Sequence, residues 1–163
     1  MKIILVLCAS IFTFINACQT SNTDPNLLNE EAVIATEKLA QVVGVKVSGN
    51  TNNYTFSVGL SSPDTGCKQY ANWWEIITED GTLIYRRILG HSHINEQPFI
   101  RSGGAVKIKE DQIVIVRAHM NTTGYGTHVF IGSVKTGFKQ QIIDKQFKPE
   151  TAKLQPLPNG CAF

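Results

Sequence analysis

Residues 73–93 constrain the fold more than any other stretch of the chain. Trp73, Trp74, Ile76 and Ile77 form one arm, rich in the aromatic and β-branched residues that suit a pleated, packed surface. Asp80-Gly81 supplies the connection, because this pair tolerates the positive φ of tight hairpin turns. On the return arm, Leu83, Tyr85 and Leu89 recur at period two, with Ile84 and Ile88 on the opposite face. A strand apolar on both faces predicts a central position in a packed sheet. Any fold must therefore bury a two-sided hairpin between layers.

The rest of the chain supplies the layers. Residues 43–47 begin a strand, and 54–60 alternate Tyr54, Phe56, Val58 and Leu60 with small or polar residues, the pattern of a half-buried strand. Residues 105–109, 112–119 and 128–134 read as further strands, with turn-forming residues at 121–126. Residues 61–72 form a loop rich in Pro, Asp and Gly. Gln97-Pro98 and Gly103-Gly104 argue against regular structure over 91–104. Residues 139–148 are mostly polar, and a proline-bearing tail follows. Residues 27–41 carry Leu28, Ala32, Ala35 and Leu39 near helical spacing, with acids early and Lys38 late, which predicts one helix. Short strands at this density predict a mainly β domain, an immunoglobulin-like β-sandwich with one short N-terminal helix; a small open barrel is the alternative.

The first residues are of another kind. Met1-Lys2 is followed by an apolar run to Ile15, too short to span a bilayer as a mature helix, which marks a signal peptide over 1–17. Ile15-Asn16-Ala17-Cys18 resembles the lipobox of bacterial lipoproteins. That resemblance implies cleavage before Cys18 and lipidation of Cys18 by multiple acyl chains (palmitate-type), anchoring the protein to a membrane. Gln19, in place of Asp, resembles an outer-membrane sorting signal. An ordinary cleaved signal with Cys18 left as a thiol is the alternative. Residues 18–26 then form a polar tether, and 27–163 a single domain.

The 163 residues suffice for one domain with a proper core. Of 15 basic residues, Lys2 leaves with the leader, so 14 stand against 13 acidic ones and the net charge falls from +2 to +1. Neither this balance nor any basic aromatic stripe points to nucleic acid.

With Cys8 in the leader and Cys18 acylated, Cys67 and Cys161 remain. In an exported domain they most simply pair as a disulfide. Two reduced thiols, or a Cys67 serving as metal ligand or nucleophile, are the other options.

Strands that alternate direction sort the remaining chemistry by ends. If 54–60 run upward, then His91, His93, His119 and His128, Cys67, Tyr70 and Tyr125 all fall at the top. Four imidazoles at one end suggest a copper or zinc site, with Met120 a further ligand suited to copper(I). No ligand spacing such as HExxH or CxxC accompanies them, and isolated histidines commonly bond within loops. Tyr70, Trp73 and Tyr125 suggest instead an aromatic face for a carbohydrate or peptide. Trp74, in phase with Ile76, belongs to the core, and Trp73 to the surface. Arg86, Arg87, Arg101 and Arg117 pair most simply with Glu75 and Glu96; the alternative is that they receive an anion. No nucleophile elbow, phosphate loop or spaced acid pair points to an enzyme.

The segments GCKQYANWWEI, LIYRRILGHSHINEQPFIRSGG, VRAHM and PLPNGCAF resemble those of a family of bacterial exported proteins and lipoproteins whose function is not established. The resemblance runs from about Tyr54 to the C-terminus and implies no active site. The sequence thus predicts a lipid-anchored binding or structural module at the periplasmic or cell-surface face of the envelope. Its ligand would be a protein, a carbohydrate or, in the alternative reading, a transition metal held by the histidines.

Overall fold

The computed structural model describes residues 39–162. The signal peptide, Cys18, the tether and nearly all of the expected helix over 27–41 lie outside the described residues. At its end, Leu39 and Ala40 are not helical, and Gln41 already opens a strand.

Among the described residues nine strands follow: β1 (Gln41–Asn50), β2 (Asn53–Ser61), β3 (Ala71–Ile77), β4 (Leu83–Ile88), β5 (Phe99–Val106), β6 (Val114–Met120), β7 (Gly124–Tyr125), β8 (His128–Ser133) and β9 (Gly137–Ile142). They form two antiparallel sheets, β1-β2-β5 and β4-β3-β6-β8-β9, with the short β7 beside β6. The mainly β expectation is met, and the two sheets share one core. Val42, Phe56, Val58, Leu60 and Phe99 come from the first sheet, and Trp74, Ile76, Val114, Val116 and Ala118 from the second.

Three expectations change. The two-sided return arm of the hairpin, β4, is an edge strand; its partner β3 is interior and buried along its whole length. Apolar residues on both faces of β4 reflect two covered faces, not two neighbouring strands: a register shift opposite Ile76 and Ile77 turns Leu83 toward a second cluster outside the core, while Ile84 and Tyr85 pack toward the core. Residues 99–104, expected to be irregular, belong to β5. Gly103 and Gly104 sit there because the chain comes close to its neighbours: a Cβ on Gly103 would meet the Tyr85 ring, and one on Gly104 the Tyr54 carbonyl. The polar stretch after 139 overlaps β9, an exposed edge strand whose outward positions need no apolar residues.

The second cluster comes from the outer face of the larger sheet. Ile77, Ile115 and Val129 are covered by Ile143 and Phe147, the first part of a C-terminal strap over 143–162. The strap continues through a 3-10 turn, Pro149–Lys153, and ends where Cys161 is bonded to Cys67, with Cα atoms 5.5 Å apart. The expected disulfide is present. Closing 94 positions of chain, it contributes on the order of 4 kcal/mol in the chain-entropy picture.

Candidate functional site

Period two puts Trp73, Glu75 and Ile77 on the outer face of β3, opposite Trp74 and Ile76. Cross-strand register sets Arg86 of β4 and Arg117 of β6 beside Glu75 on that face. The expected ion pairs form. Arg86 donates from Nε (2.8 Å) and Nη2 (2.6 Å) to Glu75 Oε2, and Arg117 from Nε (2.9 Å) to Oε1. Arg86, Arg117 and Glu75 are all buried, so one carboxylate faces two guanidiniums without solvent screening. Nearer the surface, Arg101 pairs with Glu96 at 2.7 Å. Arg87 differs from expectation: its guanidinium donates to the Ser102 and Ile88 carbonyls, because alternation turns it away from Glu75.

The remaining guanidinium donors of the buried pair are taken by the strap. Arg86 donates to the carbonyls of Thr151 (2.7 Å), Leu154 (2.6 Å) and Pro156 (3.1 Å), and Arg117 to those of Phe147 (2.5 Å) and Lys148 (3.1 Å). Thr151 bonds Arg117 and Glu75 and meets the Tyr125 hydroxyl at 2.8 Å. The Arg117 guanidinium lies 3.5 Å over the Tyr125 ring, and Arg86 lies 4.4 Å over Trp73.

Trp73, expected at the surface, is on the outward face yet buried, because the His119 ring stacks on it and the Arg86 guanidinium lies over it. Tyr125 and Tyr70 are buried as well, so the three rings offered as an aromatic contact face present no open platform. His119 stacks on Trp73 at 3.8 Å, and its Nδ1 lies 2.8 Å from Asn72 Oδ1. Burial, reinforced by the positive Arg86 and Arg117, lowers its pKa to about 3, so the ring is neutral.

A second polar centre lies at the end of the molecule where β2, β4 and β6 finish. Asp64 is its hub. Oδ1 accepts from the Ser62 hydroxyl (2.7 Å) and the Ala71 amide (2.9 Å); Oδ2 accepts from the His93 amide (2.8 Å). One buried carboxylate thereby ties the 61–72 loop to the 89–98 loop. Asn121 ties a third segment to the 61–72 loop, its Oδ1 accepting from the Tyr70 amide and its Nδ2 donating to the Cys67 and Lys68 carbonyls.

His93 sits inside this knot, 3% exposed and stacked on Phe99 at 3.9 Å. Neither of its ring nitrogens has a hydrogen-bond partner among the described residues. Asp64 Oδ2 lies 3.9 Å from Nδ1, and the His91 ring 4.5 Å away. Burial, followed by the charges of Arg101 and His91, holds the His93 pKa below the usual histidine value against the pull of Asp64 and Glu96. A cavity of about 410 Å³ opens beside it, lined by Gly66, Cys67, Ser92, His93, Ile94 and Asn95.

All four histidines stand toward the same end, as strand direction requires, but on different faces. His91 and His93 lie in the end loop, His119 beneath the strap, and His128 beside the start of β1, where its amide donates to Gln41 Oε1 (2.7 Å). Met120, offered as a copper ligand, is buried in the shared core. Among the described residues no three His, Cys, Asp or Glu side chains stand together as a metal-binding group. Chain direction settles the end; the alternation of side chains settles the face. Only His91 and His93 meet. Asp64, Asn72, Asn121 and Thr151 carry these two centres, and nothing in their sequence neighbourhoods distinguishes them from ordinary loop or turn residues.

No family model matches the chain. Over 115 residues it is 34% identical to a protein of Halomicrobium mukohataei named "Putative lipoprotein", covering 70% of this chain. The chain spans 55% of that relative's length. The relative is archaeal. It therefore does not extend the resemblance to bacterial exported proteins. Among solved structures, a superoxide reductase (neelaredoxin) from Ignicoccus hospitalis is similar at a TM-score of 0.39 and 13% identity, over 71% of this chain and 87% of that one.

Proposed function

We propose that this chain is an exported, lipid-anchored binding or structural module of the cell envelope that catalyses no reaction. The observation that carries this reading is the Cys67–Cys161 bond, because such bonds persist in oxidising compartments outside the cytoplasm. The lipoprotein name of the Halomicrobium relative supports the anchor. In this reading residues 1–17 are removed, Cys18 carries the acyl chains and residues 18–26 tether the domain. In a bacterial host Gln19 directs it to the outer membrane. Strands β2 and β5 in one sheet facing β3, β6 and β8 in the other support the immunoglobulin-like type of sandwich, whose B and E strands face C, F and G in the same way.

The test is the intact mass of protein extracted from membranes. An N-terminal Cys18 bearing acyl mass is expected, together with transfer of Cys18→Ser from the detergent phase to the aqueous phase. An unmodified Cys18 would remove the anchor.

The unpartnered nitrogens of His93 beside His91 favour a second reading, in which this pair alone holds a copper or zinc ion. His91 is exposed and can turn toward the fixed ring. Metal-free protein titrated with zinc(II) or copper(I) would take up one ion, and His91→Ala with His93→Ala would abolish uptake. Uptake indifferent to both changes, or none that saturates, defeats this reading.

A further inference from the structure

Strongly exposed large apolar side chains are unevenly spread. Among the described residues these are Val43, Ile94, Ile100, Ile113, Ile142 and Leu154. Val43 is near the start of β1, Ile94 in the loop with His93, Ile100 near the start of β5, and Ile142 opposite His128 at the end of β9. These four gather toward the loop end, where β1 also begins and the described chain enters the fold.

Two of them flank a groove of about 360 Å³, bounded by Val43, Lys46, Gly59, Pro98, Ile100 and Phe130. Its shape has a local cause. Strand β1 slips register against β2 between Val42 and Gly44, and the facing position, Gly59, has no side chain to fill the step. Val43 is 46% and Ile100 62% exposed, and Lys46 stands on the wall.

We infer that this groove and the neighbouring Ile94 loop form a lipid-facing surface, on which the domain rests against the bilayer that anchors it. The inference rests on the proposed acyl anchor. At most 20 residues, 19–38, separate Cys18 from Leu39, and they join the fold within five positions of Val43. A short tether keeps the end it enters near the membrane at high effective concentration, so weak apolar insertion suffices there. Val43, Ile94 and Ile100 supply the apolar part and Lys46 a cation for headgroup phosphates.

The test uses residues 18–163 with the Cys18 thiol coupled to a maleimide-bearing lipid in vesicles of phosphatidylethanolamine and phosphatidylglycerol, so that the tether is present whether or not the cell acylates Cys18. Amide exchange over residues 43–46 and 99–101 is expected to be slower than in the uncoupled protein. Ile100→Asp and Val43→Asp should each lower that protection about tenfold without lowering the melting temperature. Exchange unchanged by coupling, or slowed equally in both variants, overturns the inference. So does a solution dimer that Ile100→Asp dissolves, since the face would then belong to a second copy. Failure here leaves the acyl mass on Cys18 untouched, and an unmodified Cys18 leaves the exchange of the coupled protein to be judged by itself.

Discussion

His119 shows how little a residue type says about its state. Its ring is held between Trp73 and Tyr125, with two guanidiniums close by, and its pKa falls to about 3. The unfolded chain takes up a proton near pH 6.5, while the folded ring refuses it until about pH 3. The folded value lies below the unfolded one, so the stabilisation is complete above about pH 6.5 and is lost on acidification toward pH 3. His93 is shifted in the same direction and adds to the trend. Urea midpoints between pH 7 and 4 should therefore fall, with a slope of up to about 1.4 kcal/mol per pH unit from His119. His119→Gln should flatten that slope, whatever it does to stability at pH 7; an unchanged slope would disprove the assignment.

Among the elements, the strap has the least support in local pattern and the most in tertiary contacts. It has no regular structure beyond one 3-10 turn, yet five of its carbonyls accept from Arg86 and Arg117. Glu75 orients both arginines. Glu75→Ala would leave two buried cations with neutral partners alone (carbonyls, the Thr151 hydroxyl and aromatic faces), at a cost of about 3–5 kcal/mol. Amide exchange at Thr151 and Leu154, whose N–H groups bond within the strap, should quicken in the same variant. A loss below about 1 kcal/mol in chemical denaturation, with unchanged exchange, would mean that the disulfide alone holds the strap. Glu75→Gln, which keeps the shape and one acceptor, should fall between the two proteins. The strands that local pattern misses are missed for a related reason. The glycines of β5 signal close approach to Tyr85 and Tyr54, which only the neighbours reveal, and β9 lies on an exposed edge where alternation is weak.

For the molecule as a whole, local pattern and elimination reached the mainly β class, the pairing of Cys67 with Cys161, the core place of Trp74, and Glu75 and Glu96 as the acids that the arginines meet. Each follows from composition, period or charge, which act over a few residues or by elimination. Strand direction also put the histidines toward one end. Which face each histidine takes, the burial of Trp73 and the edge position of β4 emerge once the sheets are packed. The physical reason is that period two assigns a side chain to one side of a sheet without saying what covers that side. Over Glu75, Arg86 and Arg117 the cover comes from the segment around Thr151, 76 positions beyond Glu75, held by the two guanidiniums and a disulfide.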